Sequence, residues 1–418
     1  MYNTYFRQAI TMLKQNKFVS IISIAGTALA IMMIMVVIVS RSINSISIAP
    51  ENNRDRMLYS KILLRSNPKG ETMMSRGLDY ESVKNYLSVL KTPEKISVIS
   101  NYYNNKGLTK SSYTKNRIAA DLKQTDAVYW ELISLSFIEG KPFTEADFSS
   151  GIKNAVITEG LARKLFGNNT AVGNTFDLDF VPYKVVGVVK NVSKVFQFAY
   201  ADIWIPYTTK EGYEESAFMT MMLAKDKKDF DAIREEVRAC ERRYNATVPN
   251  GEHTITFMGP YDQEIQKLNT SNVFPDEKGY YRRFVFIIIV LLLVPAINLS
   301  GFSLSRIKKR TEEIGIRKAF GAKKYTILMQ VLYENMVTSL IGGIIGLILS
   351  YFTVSWLKEW LLGVGADATI PLSTVVSIPV FLAAFCACML LNLLSSGIPA
   401  YRASKMTIVD SLTKKEAQ

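Results

Sequence analysis

Side chains able to carry covalent or metal chemistry are few. The 418 residues include one histidine, His253, and three cysteines, Cys240, Cys386 and Cys388. No Cys-x-x-Cys pair or repeated Cys/His spacing occurs, which argues against a zinc site or a disulfide framework. A serine or cysteine nucleophile would have His253 alone to activate it, so no catalytic constellation can be assembled. The phosphate-cradling pattern Gly-x-x-x-x-Gly-Lys-Ser/Thr is absent, so this sequence does not hold a nucleotide in the Walker manner. Enzyme classes are thereby disfavoured, and recognition chemistry remains.

The richest recognition segment is 305–324, whose centre, residues 310–322, reads RTEEIGIRKAFGA. A short helix is expected. Thr311 can cap it, Glu312 and Glu313 sit where the positive helix end favours acids, Arg317 and Lys318 fall toward the negative end, and Gly321 supplies a left-handed stop. Ile307, Ile314, Ile316 and Phe320 leave apolar surface on an otherwise charged segment. That surface needs a partner, either lipid headgroups or another protein.

Long apolar elements must position this segment. Hydrophobic residues make up 48% of the chain and the mean hydropathy is slightly positive, high for a soluble protein. Residues 18–40, 284–305, 335–357 and a stretch within 368–401, best placed at 374–397, carry no charge. At about 1.5 Å per residue, about 20 residues match a hydrocarbon core of about 30 Å, so each can span. Arg7, Lys14 and Lys17 resemble the n-region of a cleaved signal, but the apolar run that follows exceeds about 7–15 residues, so an uncleaved anchor is expected. Basic residues set the orientation. Residues 1–17 carry three and no acid, 306–334 carry eight against three, and 402–418 carry four against two, whereas 41–283 are nearly balanced. Most of the net charge of +13 therefore abuts the membrane on one side, the cytoplasmic one, and a nucleic-acid footprint is excluded as its cause.

The expected architecture is an α-helical membrane protein with four spans and an α+β extracytoplasmic domain. Residues 1–17 form an interfacial amphipathic helix, 41–283 the outer domain, 306–334 a cytoplasmic segment, 358–373 an outer loop and 398–418 a cytoplasmic tail. Gly342, Gly346 and Ser350 make a small-residue stripe for close helix packing or a homodimer seam, echoed by Gly26 and Ala30. Pro295 and Pro379 are hinge candidates, and Asn298 and Asn392 suit interhelical hydrogen bonds. No ionisable residue lies inside a span, although proton and ion relays normally require one. In the outer domain, residues 57–64 and 95–100 read as strands around a helix at 79–90 with Val83, Leu87 and Leu90 on one face. Residues 218–223 and 253–258 read as strands around a helix at 229–242, with Phe230, Ile233, Val237 and Cys240 on one face. Cys240 is then a buried apolar residue and His253 a strand residue. These two strand-helix-strand units flank a β-rich insert, about 104–207, with one clear helix at 159–166 stopped by Gly167.

The ordered pieces at 140–148 (GKPFTEADF), 155–159 (AVITE), 161–167 (LARKLFG), 172–173, 185–188 (VVGV) and 205–207 (IPY) resemble the periplasmic core domain of MacB-type transporters. Residues 310–322, followed by Gln330 and Glu334, resemble the FtsX-like permease motif, and 397–405 its C-terminal counterpart. The resemblance covers essentially the whole chain. It implies a bacterial inner-membrane permease subunit with both termini cytoplasmic. The insert would be an outer subdomain and its flanks a membrane-proximal one. The resemblance further implies that Glu312, Glu313, Ile314, Ile316, Arg317, Phe320 and Gly321 meet an ATPase subunit, which would bind ATP and Mg on a separate polypeptide. MacB itself fuses the two. A homodimer or pseudo-symmetric permease dimer, a periplasmic partner, and transmission of ATP-driven motion to the outer domain also follow as expectations. Export, lipoprotein release and control of a cell-wall hydrolase all remain open, and the alternative is a membrane-anchored sensor or regulator of an envelope partner without transport.

Overall fold

The computed structural model describes residues 11, 13, 17–42, 47–100, 105–248, 252–269, 274–309 and 311–356, with scattered positions between 382 and 401. Most of the expected helix at 1–17, Pro379, Asn392 and most of 374–397 lie outside the described residues. The chain divides into two compact units, one containing the long apolar helices and one spanning residues 43–277.

In the outer unit, strands β1 (Met57–Ser60), β2 (Ile62–Ser66), β3 (Thr72–Gly77) and β4 (Lys95–Ser100) come first. The insert follows with β5 (Lys106–Lys110), β6 (Ile118–Thr125), β7 (Phe137–Gly140), β8 (Asn154–Thr158), β9 (Thr175–Leu178), β10 (Val181–Val189) and β11 (Ile203–Pro206). Last come β12 (Phe218–Leu223) and β13 (Thr254–Met258). Six insert strands close on themselves in the order β6-β11-β8-β10-β9-β5 and back to β6, with β6 parallel to β11 and β8 parallel to β10. Leu122, Ile157, Phe176, Leu178, Val185 and Ile203 belong to one buried cluster that fills this barrel, as expected for a barrel this narrow. The helices of eight or more described residues along the chain are α1 (Lys17–Ser42), α2 (Glu159–Phe166), α3 (Phe230–Thr247), α4 (Glu277–Lys309), α5 (Thr311–Ala319) and α6 (Lys324–Trp356).

Helix α2 follows β8 directly. The Leu161 N–H donates to Thr158 Oγ1, Glu159 occupies the first turn, and Gly167 stops the helix at φ +65°, where a side chain would be strained. Its Leu161, Leu165 and Phe166 seal one side of the barrel cluster.

Beside the barrel, β4 pairs with β6 at one end and with β12 along its length, and β12 pairs with β1. The short helix at 80–87 and α3 cover this part of the sheet. Val83, Leu87, Leu90, Phe230, Ile233, Val237 and Cys240 are all buried in one cluster with Leu58 and Phe218. Full burial of an apolar side chain of this size is worth about 1.5–3 kcal/mol, so the face of α3 is a main attachment.

One sequence expectation needs correction. Residues 57–64 are two strands, because at Lys61 the chain leaves the large sheet for a three-stranded antiparallel one, β13-β2-β3. Tyr59 lies just before the switch, where its N–H donates to the Tyr261 carbonyl (2.7 Å) and its own carbonyl accepts from Tyr261 N–H (2.9 Å). Strand β4 joins the flanking units and the insert in a single sheet, and the β2-β3 hairpin completes the smaller one.

A buried carboxylate ties distant segments together. Glu51 Oε1 accepts from the N–H groups of Phe198 and Ala199 (both 2.9 Å), while Oε2 accepts from Arg54 Nε (2.6 Å) and Gln263 Nε2 (3.2 Å). Close by, Lys123 on β6 donates to the carbonyls of Gln197 (3.1 Å) and Phe198 (2.6 Å). Loss of hydration brings the Lys123 amine from 10.5 down to about 7, against the opposing pull of Glu51.

In the helical unit, α1 and α6 are each long and apolar enough to cross a membrane. Helix α4 contains the charge-free stretch 284–305 within its 33 residues and runs through Pro295. Arg41, at the end of α1, lies 3.8 Å from the centroid of the Phe284 ring. A methyl added at Gly342 would sit 2.8 Å from Thr27 Cβ, and one at Gly346 2.6 Å from the Ala28 carbonyl oxygen, so both glycines let α1 and α6 touch closely.

The depressed Lys123 amine gives a pH dependence with a definite sign. Between about 7 and 10.5 the unfolded chain binds the proton that the folded chain has lost, so this group's contribution to stability increases with pH across that window. Urea midpoints of the outer unit, followed by tryptophan fluorescence at about pH 7 and about pH 9, should show this rise in the native chain and a flatter profile in Lys123→Met.

Candidate functional site

The described residues of the charged connector are mostly helical. Helix α4 runs to Lys309 and α6 begins at Lys324, so the segment expected at 306–334 is mostly the ends of two long helices. Nothing between Lys324 and Asn335 breaks a helix, and the third span simply continues backward. What lies between is α5 and a turn. Thr311, expected as the cap, is the first residue of α5, and the turn is closed by Ala322 N–H donating to the Arg317 carbonyl (2.9 Å), with Gly321 at φ +88°.

One face of α5 is fastened to α6 by a chain of polar contacts. Arg317 donates through Nη2 to Glu313 Oε1 (2.6 Å), one turn earlier, and through Nη1 to Gln330 Oε1 (2.8 Å). Gln330 then donates through Nε2 to Glu334 Oε1 (3.2 Å). Gln330 and Glu334 are buried. The guanidinium thus reaches a buried carboxylate through an intervening amide, which gives that carboxylate hydrogen-bonded company at the start of a membrane helix. Ile314 packs with Leu328 and Val331 beside this chain.

The other face is bare. Phe320 is 88% exposed, Ile316, one turn earlier, 50%, and Tyr325 at the start of α6 68%. Single exposed apolar residues need no explanation, but three large ones around one tight turn form a patch.

The singled-out residues therefore divide. Glu313, Ile314 and Arg317 hold the helix, Ile316 and Phe320 present the surface, and Gly321 shapes the turn. Glu312 lies on α5 with its side chain outside the described residues, as does that of Pro295 on α4. Gly342 and Gly346 face α1 of the same chain, and Ser350, buried one turn further, donates to the Leu347 carbonyl (2.7 Å). Tyr325, Leu328 and Val331 were missed by reasoning on the connector alone. The signal that could have found the clamp is the i, i+4 pair Gln330 and Glu334 at the start of an apolar helix. Among the described residues, no group of three or more His, Cys, Asp or Glu side chains could hold a metal ion.

A helical unit with spanning helices, a charged turn and a large β-rich domain between the first two of them defines a membrane permease component. Residues 18–239 match the MacB-like periplasmic core domain and residues 285–408 the FtsX-like permease C-terminal domain. The chain belongs to the MacB/FtsX family of ABC transporter permeases, inner-membrane proteins with a periplasmic domain. It is 24% identical to the uncharacterized ABC transporter permease YknZ of Bacillus subtilis over 312 residues, 72% of each chain. It is 25% identical to the uncharacterized permease YvrN of the same organism over 346 residues, 78% of each chain. The macrolide export ATP-binding/permease protein MacB of Chromobacterium violaceum is 26% identical over 295 residues, which cover 69% of this chain and 42% of that longer one. The solved extracellular domain of the noncanonic ABC-type transporter YknZ aligns at a TM-score of 0.36 and 18% identity, covering 48% of this chain and 100% of that domain.

Arg317→Ala removes both ends of the clamp at once and leaves Gln330 without its charged donor. Amide hydrogen exchange across residues 313–319 should accelerate by about tenfold, reflecting a local loss of roughly 1–2 kcal/mol for a half-exposed charged pair, while exchange in the outer unit stays unchanged.

Proposed function

We propose that this permease couples to a separate ATPase subunit through the α5 turn, and that ATP-driven closure of that subunit bends the membrane helices and moves the outer domain. The observation that carries the reading is the pairing of a fastened helix with a bare apolar tip: Arg317 and Ile314 fix α5 on α6, while Phe320, Ile316 and Tyr325 stay exposed. A rigid, charged-rimmed apolar knob suits insertion into a pocket of a protein partner, where aromatic anchors contribute most of the binding energy. In this reading ATP and Mg reside on the partner.

In this reading the chain crosses the membrane four times, with both termini and α5 in the cytoplasm and residues 41–283 outside. It works as a homodimer or pseudo-symmetric dimer with two ATPase subunits, and a further periplasmic partner would engage the outer domain. Force transmission is favoured over conduction because the four apolar stretches contain no ionisable residue to relay a charged or strongly polar cargo. The occupancy of the Gly342 and Gly346 stripe by α1 supports a dimer seam elsewhere than on that stripe.

Phe320→Asp puts a charge at the tip of the knob without touching the clamp. Co-purification with the cognate ATPase should fall by at least about tenfold, and ATPase stimulation with it, at unchanged expression; unchanged association and stimulation would leave the sensor alternative in its place. The four-span topology has its own check. A bulky hydrophilic tag between residues 363 and 367 should react with impermeant reagents on intact cells, and protection there would reverse the assigned orientation.

A further inference from the structure

The outer unit contains a cavity of about 430 Å³, within the range of small-molecule sites. It lies where the β1-β2 junction, the ends of β4 and β5, strand β6, the loop at 197–200 and the segment after residue 265 meet. Three cations line it, Lys61, Lys123 and Lys267, against one carboxylate, Asp121. That carboxylate is already engaged, with Asp121 Oδ2 accepting from the Tyr200 hydroxyl at 2.7 Å. Ile99, Leu122 and Met219 supply an apolar wall.

The polar part of the lining includes donors with no acceptor in the protein. Gln266 is 3% exposed, and neither Nε2 nor Oε1 has a hydrogen-bond partner; the same holds for Ser100 Oγ on a fully buried residue and for Asn105 Nδ2. Buried polar groups are nearly always paired, and three residues that carry unpaired ones line the same cavity as three lysines, which marks a place for a hydrogen-bonding anion. We propose that this cavity binds a small amphipathic anion, its carboxylate or phosphate held among Lys61, Lys123 and Lys267 with Gln266 and Ser100, and its apolar part against Ile99, Leu122 and Met219.

Electrostatics agrees with the geometry. Loss of hydration lowers the Lys123 amine to about 7, with Glu51 opposing, and the Lys267 amine to about 8, with Arg54 adding to the shift and Glu51 and Glu264 opposing. Burial lowers Lys61 in the same direction. An anion in the cavity would add to the pull that Glu51 already exerts on the Lys123 and Lys267 amines. The proposal is independent of ATPase coupling and needs no partner subunit for its test.

The experiment uses the full chain in nanodiscs of zwitterionic lipid, without ATPase, titrated calorimetrically with N-acetylphenylalanine, phenyl phosphate and the neutral N-acetylphenylalaninamide. At least one anion should bind saturably at one site per chain, and at least about tenfold tighter than the amide. A preference between the two anions tells a carboxylate ligand from a phosphate one. Lys267→Gln and Lys61→Gln, both at half-buried positions and checked for an unchanged thermal transition, should each weaken binding by about threefold or more. Absence of saturable binding by both anions, equal binding of the amide, or wild-type affinity in both variants would each overturn the proposal.

Discussion

A charged side chain at the centre of a bilayer costs about 2.5–3.5 kcal/mol or more, and an unpaired backbone polar group several. That constraint organises the helical unit. Helices α1 and α6 keep charge out of their apolar lengths and meet at Gly342 and Gly346, where backbone and small side chains approach directly. Two of the polar residues there bond back into their own helix: Thr27 Oγ1 donates to the Ser23 carbonyl (2.9 Å) and Thr338 Oγ1 to the Glu334 carbonyl (2.9 Å). The charges excluded from the spans collect at their ends. There Arg41 lies over the ring of Phe284, and Arg317, Gln330 and Glu334 form the clamp.

The same constraint explains why the connector is stiff. A carboxylate at Glu334, buried at the beginning of a membrane helix, is tolerable only with hydrogen-bonded company, and Gln330 and Arg317 supply it. The clamp that satisfies Glu334 also fixes the direction of α5. The aromatic tip, Phe320, therefore sits in the turn directly after a helix that is held in place. In the outer unit, Glu51 plays a comparable organising part. It gathers Arg54, Gln263 and the backbone at 198–199, and the latter loop carries the carbonyls that receive Lys123.

Much of this was legible in the residues, and the division between what was and was not is physical. Helix α2 carries its own start and stop in Thr158 and Gly167, and the buried face of α3 follows from the spacing of Phe230, Ile233, Val237 and Cys240. Both are local signals. The break at Lys61 was not legible, because beside it Tyr59 meets Tyr261, some two hundred residues away. Closure of the barrel was equally hidden, since it rests on β5 reaching β9 through Thr109 and Leu178. At the site, Gly321 and the helix ends could be read directly. The separation of α5 into a held face and a bare one could not, since it required knowing which way Arg317 points and that α6 starts early enough to offer Gln330.

The central claim is that ATP hydrolysis at the α5 face changes the outer domain without opening a path through the bilayer. The direct measurement is amide hydrogen exchange of residues 57–258 in sealed vesicles holding the permease and its ATPase, with ATP supplied only on the ATPase side and a trapped polar solute monitored in parallel. The account predicts an ATP-dependent change in protection in the outer domain, lost with a hydrolysis-dead ATPase, while the solute stays enclosed. Unchanged protection, or solute flux that follows ATP turnover, would contradict it.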